Sequence, residues 1–202
     1  MVGRHESARP RRVGWPPLPS PAPDLFDPPL ADRRLPTRAG PIDPSARPAW
    51  IFVGAHGGAG ASTLARFSHE HDPNRAGLDG GRCWPDPAAE RTQALPIVAR
   101  THMAGLAWAR DVARSYVAGL APAGLHLIGL VLVPDEPRRL PRPLTAAADL
   151  LTGAYPRIWR VPYQPDLRLI VGVHAETWTP AWPDLREALT DIADTVTEGD
   201  AQ

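Results

Sequence analysis

The 202-residue chain contains no lysine: its 22 basic side chains other than histidine are all arginine, set against 22 acidic ones. That balance leaves no global charge to draw the protein to nucleic acid or to an anionic membrane, so any such contact must be local. Cysteine is nearly absent too. Cys83 stands alone, which excludes an internal disulfide and a cysteine-built zinc cluster and suits a reducing, cytoplasmic setting. Long apolar runs are also missing. The longest, GLHLIGLVLV at residues 124–133, falls well short of the ~20 residues that cross a bilayer, and no apolar stretch follows the N-terminal arginines to make a signal peptide. A soluble cytoplasmic protein without a membrane span is the expectation.

Proline (26) and glycine (17) are abundant, and with the arginines they look like drift in a GC-rich genome. Residues 1–48 hold twelve prolines and eight arginines but few large apolar side chains. Such a composition buries too little surface to offset the entropy of ordering. It is expected to be a disordered Pro/Arg-rich tail, leaving residues 49–202 as one domain. Within the tail, GWPPLPSPAP favours polyproline II, which suits a plain spacer or docking on a protein partner's aromatic groove. The slight basic excess of the tail gives nucleic acid weak support.

From Trp50 onward, short apolar runs alternate with helical patterns, the texture of an α/β protein with a mainly parallel sheet of four or five strands. The runs predict strands at 50–54, 95–100, 126–133 and 157–161, with 169–173 as a candidate fifth. Helices are expected over 103–120 and 143–153, and over 182–196, where Leu185, Leu189, Ile192 and Val196 form a stripe able to close over a sheet. Residues 71–94, rich in Gly, Pro and Asp, show no strand pattern.

One stretch carries a chemical signal. In AWIFVGAHGGAGASTLARF, residues 49–67, an apolar run leads through Ala55, His56, Gly57, Gly58, Ala59, Gly60, Ala61, Ser62 and Thr63 into a helix-like continuation. This is the strand–turn–helix context of a phosphate loop, in which glycines let backbone N–H groups converge and a helix N-terminus adds its dipole. Ser62 is placed to offer a hydroxyl to magnesium. The stretch resembles the deviant Walker A motif of the ParA/MinD partition-type ATPases, in which a lysine opens the motif, two glycines follow, and a second lysine precedes Ser/Thr. Here His56 stands at the first lysine and Ala61 at the second.

Downstream, ALPIVARTHMAGLAWARDV, LIGLVLVPDEP and YPRIWRVPYQPDLR resemble later strands of the same superfamily, so the likeness spans residues 50–197. The nearest subclass is the CpaE/TadZ-like positioning proteins. The YPRIWRVP segment also resembles a family of small actinobacterial proteins. The resemblance implies a three-layer P-loop NTPase-like fold, ATP and magnesium as ligands, and nucleotide contacts from residues 56–63. It also implies Asp135 and Pro162 near the base, and a homodimer that sandwiches the nucleotide.

Phosphoryl transfer needs charge neutralisation from the loop lysine and a metal. Alanine at position 61 supplies none, and the 95–100 strand ends in Arg100-Thr101 where a magnesium-supporting acid would stand. Asp79 and Asp86 lie in the irregular segment, and an unperturbed His56 is mostly neutral at pH 7. Arg138, Arg139 and Arg142 form a basic cluster after a strand end and read either as a solvated loop or as a substitute cation. His69, His71 and Asp72 read as a charged helix end, Arg110, Asp111 and Arg114 as an exposed helix face, Ser115 has no triad partners, and Trp159, Arg160, Pro162 and Tyr163 are expected to pack the end of the sheet.

The functional expectation is a degenerate ParA/MinD-type protein, a nucleotide-responsive or nucleotide-free positioning or partition scaffold with little or no hydrolysis. An Mg-ATPase using arginines in place of the lysine, and a pure protein-binding adaptor, are the alternatives.

Overall fold

A strand buried on both faces must be apolar along its whole length, because each successive side chain enters a different core. IFVG and LPIVA satisfy this condition. In the computed structural model, which describes residues 34–41, 50–86, 92–168 and 183–200, Ile51, Val53, Leu95, Ile97, Leu130 and Leu132 enter one apolar cluster. Phe52, Ala94, Val98, Ile128 and Val131 enter the other.

The strands are β1 (Thr37–Pro41), β2 (Ile51–Gly54), β3 (Leu78–Asp79), β4 (Trp84–Asp86), β5 (Gln93–Arg100), β6 (Leu125–Val133) and β7 (Ile158–Arg160). The helices are α1 (Ala61–His71), α2 (Met103–Val117), α3 (Arg142–Leu150) and α4 (Pro183–Asp200). Five strands form one parallel sheet in the order β3-β2-β5-β6-β7. Helices α2 and α3 cover one face; α1 and α4 cover the other. The α/β architecture with a parallel sheet of five strands is as the apolar runs predict, and helices on both faces of that sheet make three layers. The stripe of α4 also lies where expected, with Leu185, Leu189, Ile192 and Val196 all buried.

Helix α2 stops short of residue 120. Gly119 takes φ +70°, Leu120 N–H bonds the Ser115 carbonyl and Gly119 N–H bonds the Tyr116 carbonyl, a paired closure that ends the helix.

Three expectations need correction, and one lies out of reach. The stretch 71–94 does contain strands, β3 and β4. They are too short to show alternation, and β3 forms because Gly77 and Gly80 let the chain press against Trp50, Ile51 and Phe52. The tail boundary at residue 48 is also displaced: residues 34–41 join the fold, with Leu35 buried in the α2-side core and β1 paired in parallel with β4. Asp111 and Arg114 are buried rather than exposed. They form an ion pair at 3.2 Å, while Ser115 Oγ donates to the Asp111 carbonyl. The carboxyl half of α2 is enclosed on several sides, which a one-face helix reading does not anticipate. The candidate strand at 169–173 lies outside the described residues.

Candidate functional site

Starting from β2, the chain crosses over α1 to place β3 on one side, then returns to place β5, β6 and β7 on the other. The order therefore reverses between β2 and β5. At such a switch point the loops leaving the carboxyl ends diverge, and ligands of open α/β sheets bind in the crevice between them. The glycine loop, residues 55–60, is the segment that leaves β2 there.

Its conformation follows from its glycines. Gly58 has φ +74° and Gly60 has φ +106°, a region closed to most side chains. Leu64 N–H bonds the Gly60 carbonyl at 2.9 Å and starts α1. Among the described residues, the backbone N–H groups of Gly57, Gly58, Gly60, Ala61, Ser62 and Thr63 have no protein acceptor. These are the donors that a phosphate would take up.

His56 holds the loop in place rather than charging it. The Gly57 carbonyl can only accept, so His56 Nδ1 donates to it at 2.8 Å, and Nε2 accepts from Arg100 N–H at 3.1 Å. Both contacts select the neutral ring protonated on Nδ1. Burial lowers its pKa from the ordinary value, and the positive fields of His102, Arg100 and Arg82 lower it further, against the opposing effect of the Gly57 bond. The ring thus joins the loop to the end of β5. On its other side is Gly105 of α2, where a Cβ would collide with the Arg100 carbonyl and stand 2.9 Å from Nε2.

The cation of the site is Arg100. Its Nε donates to the Gly58 carbonyl at 3.2 Å, and its guanidinium reaches Asp135 Oδ1 at 3.4 Å. The sequence shows this residue mainly as an acid that is missing. A charged side chain closing a buried strand beside the glycine-loop strand is the signal that marks it. Arg138, Arg139 and Arg142 are exposed and make no described contact with the loop.

A cleft of about 330 Å³ opens from the start of α1 across the carboxyl ends of β5, β6 and β7. Its walls include Leu64, Phe67, Val161 and Leu185, with Thr63 and Arg100 at the loop end and Pro162, Tyr163 and Gln164 at the far end. The size is that of a small-ligand site.

The residues expected to bind nucleotide divide accordingly. Gly60, Thr63 and Pro162 line the cleft; Gly57 and Gly58 are exposed at its edge; Asp135 holds Arg100. Ala59 and Ala61 turn their methyl groups into the α4-side core, and Ser62 is exposed. Trp159 is buried as expected, with Nε1 donating to Asp191 of α4 at 2.7 Å.

Magnesium, which the resemblance implies, does not fit these residues. The Asp135 carboxylate is engaged with Arg100, the Asp79 carboxylate accepts from Gly81 N–H at 2.9 Å, and a guanidinium stands where a supporting acid would. Asp86 ends β4, in the two-stranded pair with β1. No group of three or more His, Cys, Asp or Glu residues able to hold a metal occurs among the described residues. Nor is any described helix long and apolar enough to cross a membrane.

Comparison with curated proteins and with solved structures gives no match. A family model does match residues 48–180, covering the glycine loop, Arg100 and most of the cleft wall. The chain belongs to that family, a family of unknown function designated DUF6668.

Proposed function

We propose that the protein binds a nucleotide-type ligand, with its phosphates at the glycine loop and the flat faces of its base against the walls of the adjoining cleft, and that it does not turn the ligand over. One observation carries this reading: unpaired backbone donors at the sheet's switch point stand beside a fixed guanidinium, at the mouth of a largely apolar cleft. Neither end alone would select such a ligand. The donors and Arg100 suit an anion, and the walls suit the faces of a flat ring.

The absence of hydrolysis follows from the groups around the loop. Phosphoryl transfer requires charges that strengthen as the transition state forms, and a residue to orient the attacking water. Position 61 offers a buried methyl group, and His56 has both ring nitrogens occupied. In this reading the chain is a degenerate ParA/MinD-type protein whose output is the liganded state itself, read by a protein partner or by a second copy of the chain. Calorimetry of the full chain with ATP and with ADP, paired with a phosphate-release assay, tests it. Saturable binding without phosphate release is expected. Turnover would favour an ATPase that uses arginine, and no binding would favour an adaptor.

A further inference from the structure

We infer that the crevice takes its phosphate ligand as the free anion, without a divalent cation, and that Arg100 does the neutralising that lysine and metal share in a working phosphate loop. The inference rests on the nucleotide reading and deepens it.

Its basis is the position of one charge. The strand next to the loop strand is β5, paired at Val53 with Ile97 and at Gly54 with Val98. Its last residue therefore emerges beside the glycine loop. A carboxylate there would draw a metal towards bound phosphate; a guanidinium repels a metal and attracts phosphate directly. Arg100 is fixed at three points. Its N–H is on His56, its Nε is on the Gly58 carbonyl, and its NH1 is on Asp135. The first two hold it at the loop through the backbone and the side-chain stem. The third is a half-exposed contact at 3.4 Å, with side-chain exposures of 35% and 48%. Pairs of this kind are weak, so an incoming phosphate can take over the outer guanidinium nitrogens while the other two anchors stay. Asp135 then acts as the holding partner of Arg100 until the phosphate arrives, and this carboxylate competes with the ligand instead of helping to bind a metal.

The His56 contact makes the geometry testable by side-chain replacement. It uses the backbone N–H of Arg100, so Arg100→Gln removes the guanidinium and leaves the anchor between β5 and the loop intact.

The experiment is calorimetry of ADP binding to the full-length protein, once in EDTA and once in excess magnesium. ADP should bind in EDTA at least about as tightly as in magnesium, since the metal screens the charge that Arg100 recognises. Arg100→Gln should weaken binding in EDTA by about tenfold to a hundredfold, the factor expected for a charge-assisted bond, with its melting temperature little changed. Asp135→Asn should tighten binding by about two- to fivefold, and only while Arg100 is present. Binding that requires magnesium, or that is tightened by it, overturns the inference and leaves the nucleotide reading standing. So does a folded Arg100→Gln protein with unchanged affinity. No ADP binding under either condition overturns both.

Discussion

Two loops leave neighbouring strands with nearly the same composition, and they use glycine for opposite purposes. After β2 the chain reads GAHGGAG; through β3 it reads GLDGGR. In the second segment a Cβ at Gly77 would stand 2.9 Å from the Trp50 ring, and one at Gly80 would stand 2.7 Å from Ile51 Cγ2. Glycine there is the only residue small enough to let β3 lie against β2, and the backbone is used up in pairing: Gly80 N–H goes to Phe52 and the Gly81 carbonyl accepts from Gly54. In the first segment, nothing lies within 4 Å of the Cβ positions of Gly57 and Gly58, and the N–H groups go unpaired. Crowded glycines serve packing; the open glycines of the first loop leave their backbone donors available to a ligand. Glycine content alone does not separate the two cases.

The largest effect should come from the crowded segment. Gly80→Ala forces a methyl group between Ile51 and the Phe52 carbonyl, and overpacking of this kind costs about 2–3 kcal/mol. Thermal unfolding should shift down by about 4–10 °C, while the protein that remains folded binds ADP as wild type does. Gly60→Ala should cost less, about 1–2 kcal/mol, because the added methyl meets only Val133 at 3.7 Å and the penalty is backbone strain at φ +106°. Yet it should weaken ADP binding, measured by calorimetry, because the loop must relax to accept it.

Acidification should act on the first loop and not on the second. His56 has a folded pKa below 6.5, so the unfolded chain takes up its proton first. The stability contributed by the neutral ring is present above pH 6.5 and is lost as pH falls towards the folded pKa. His126, lowered by burial, acts in the same direction. Melting temperature should therefore fall between pH 7.5 and 5.5, and His56→Gln should flatten that slope in part. The smallest effect belongs to Gly57→Ala, where the position is open and φ is not positive; a change within about 0.5 kcal/mol is expected from the same melts.

Much of the fold is legible in the sequence because it depends on long apolar runs. Strands β2, β5 and β6 are buried on both faces, and their composition says so without any knowledge of neighbours. Strand β3 is not legible, because it exists through pairing to β2 and through missing side chains at Gly77 and Gly80. Leu35 is lost in a proline-rich context that argues for disorder. At the candidate site, the glycine turn between β2 and α1 is readable from its spacing, but the contacts of His56 and Arg100 are not. His56 stands at a lysine position and its ordinary pKa already argues against a cation there, but only its contacts with Gly57 and Arg100 show it to be a fastener of the loop. Arg100 lies 44 residues from His56 in sequence, and nothing but the sheet order brings them together.

The most direct measurement is an amide-resolved titration of the full-length, isotope-labelled protein with ADP by NMR. Saturable shifts are expected at Gly57, Gly58, Gly60, Ala61, Ser62 and Thr63, the amides without acceptors, together with the Arg100 side-chain Nε–H, while Gly77 and Gly80 stay still. Shifts confined to other regions, or none in the glycine loop at saturating ADP, would contradict the assignment of residues 55–63 as a phosphate site and reduce the loop to a turn that feeds α1.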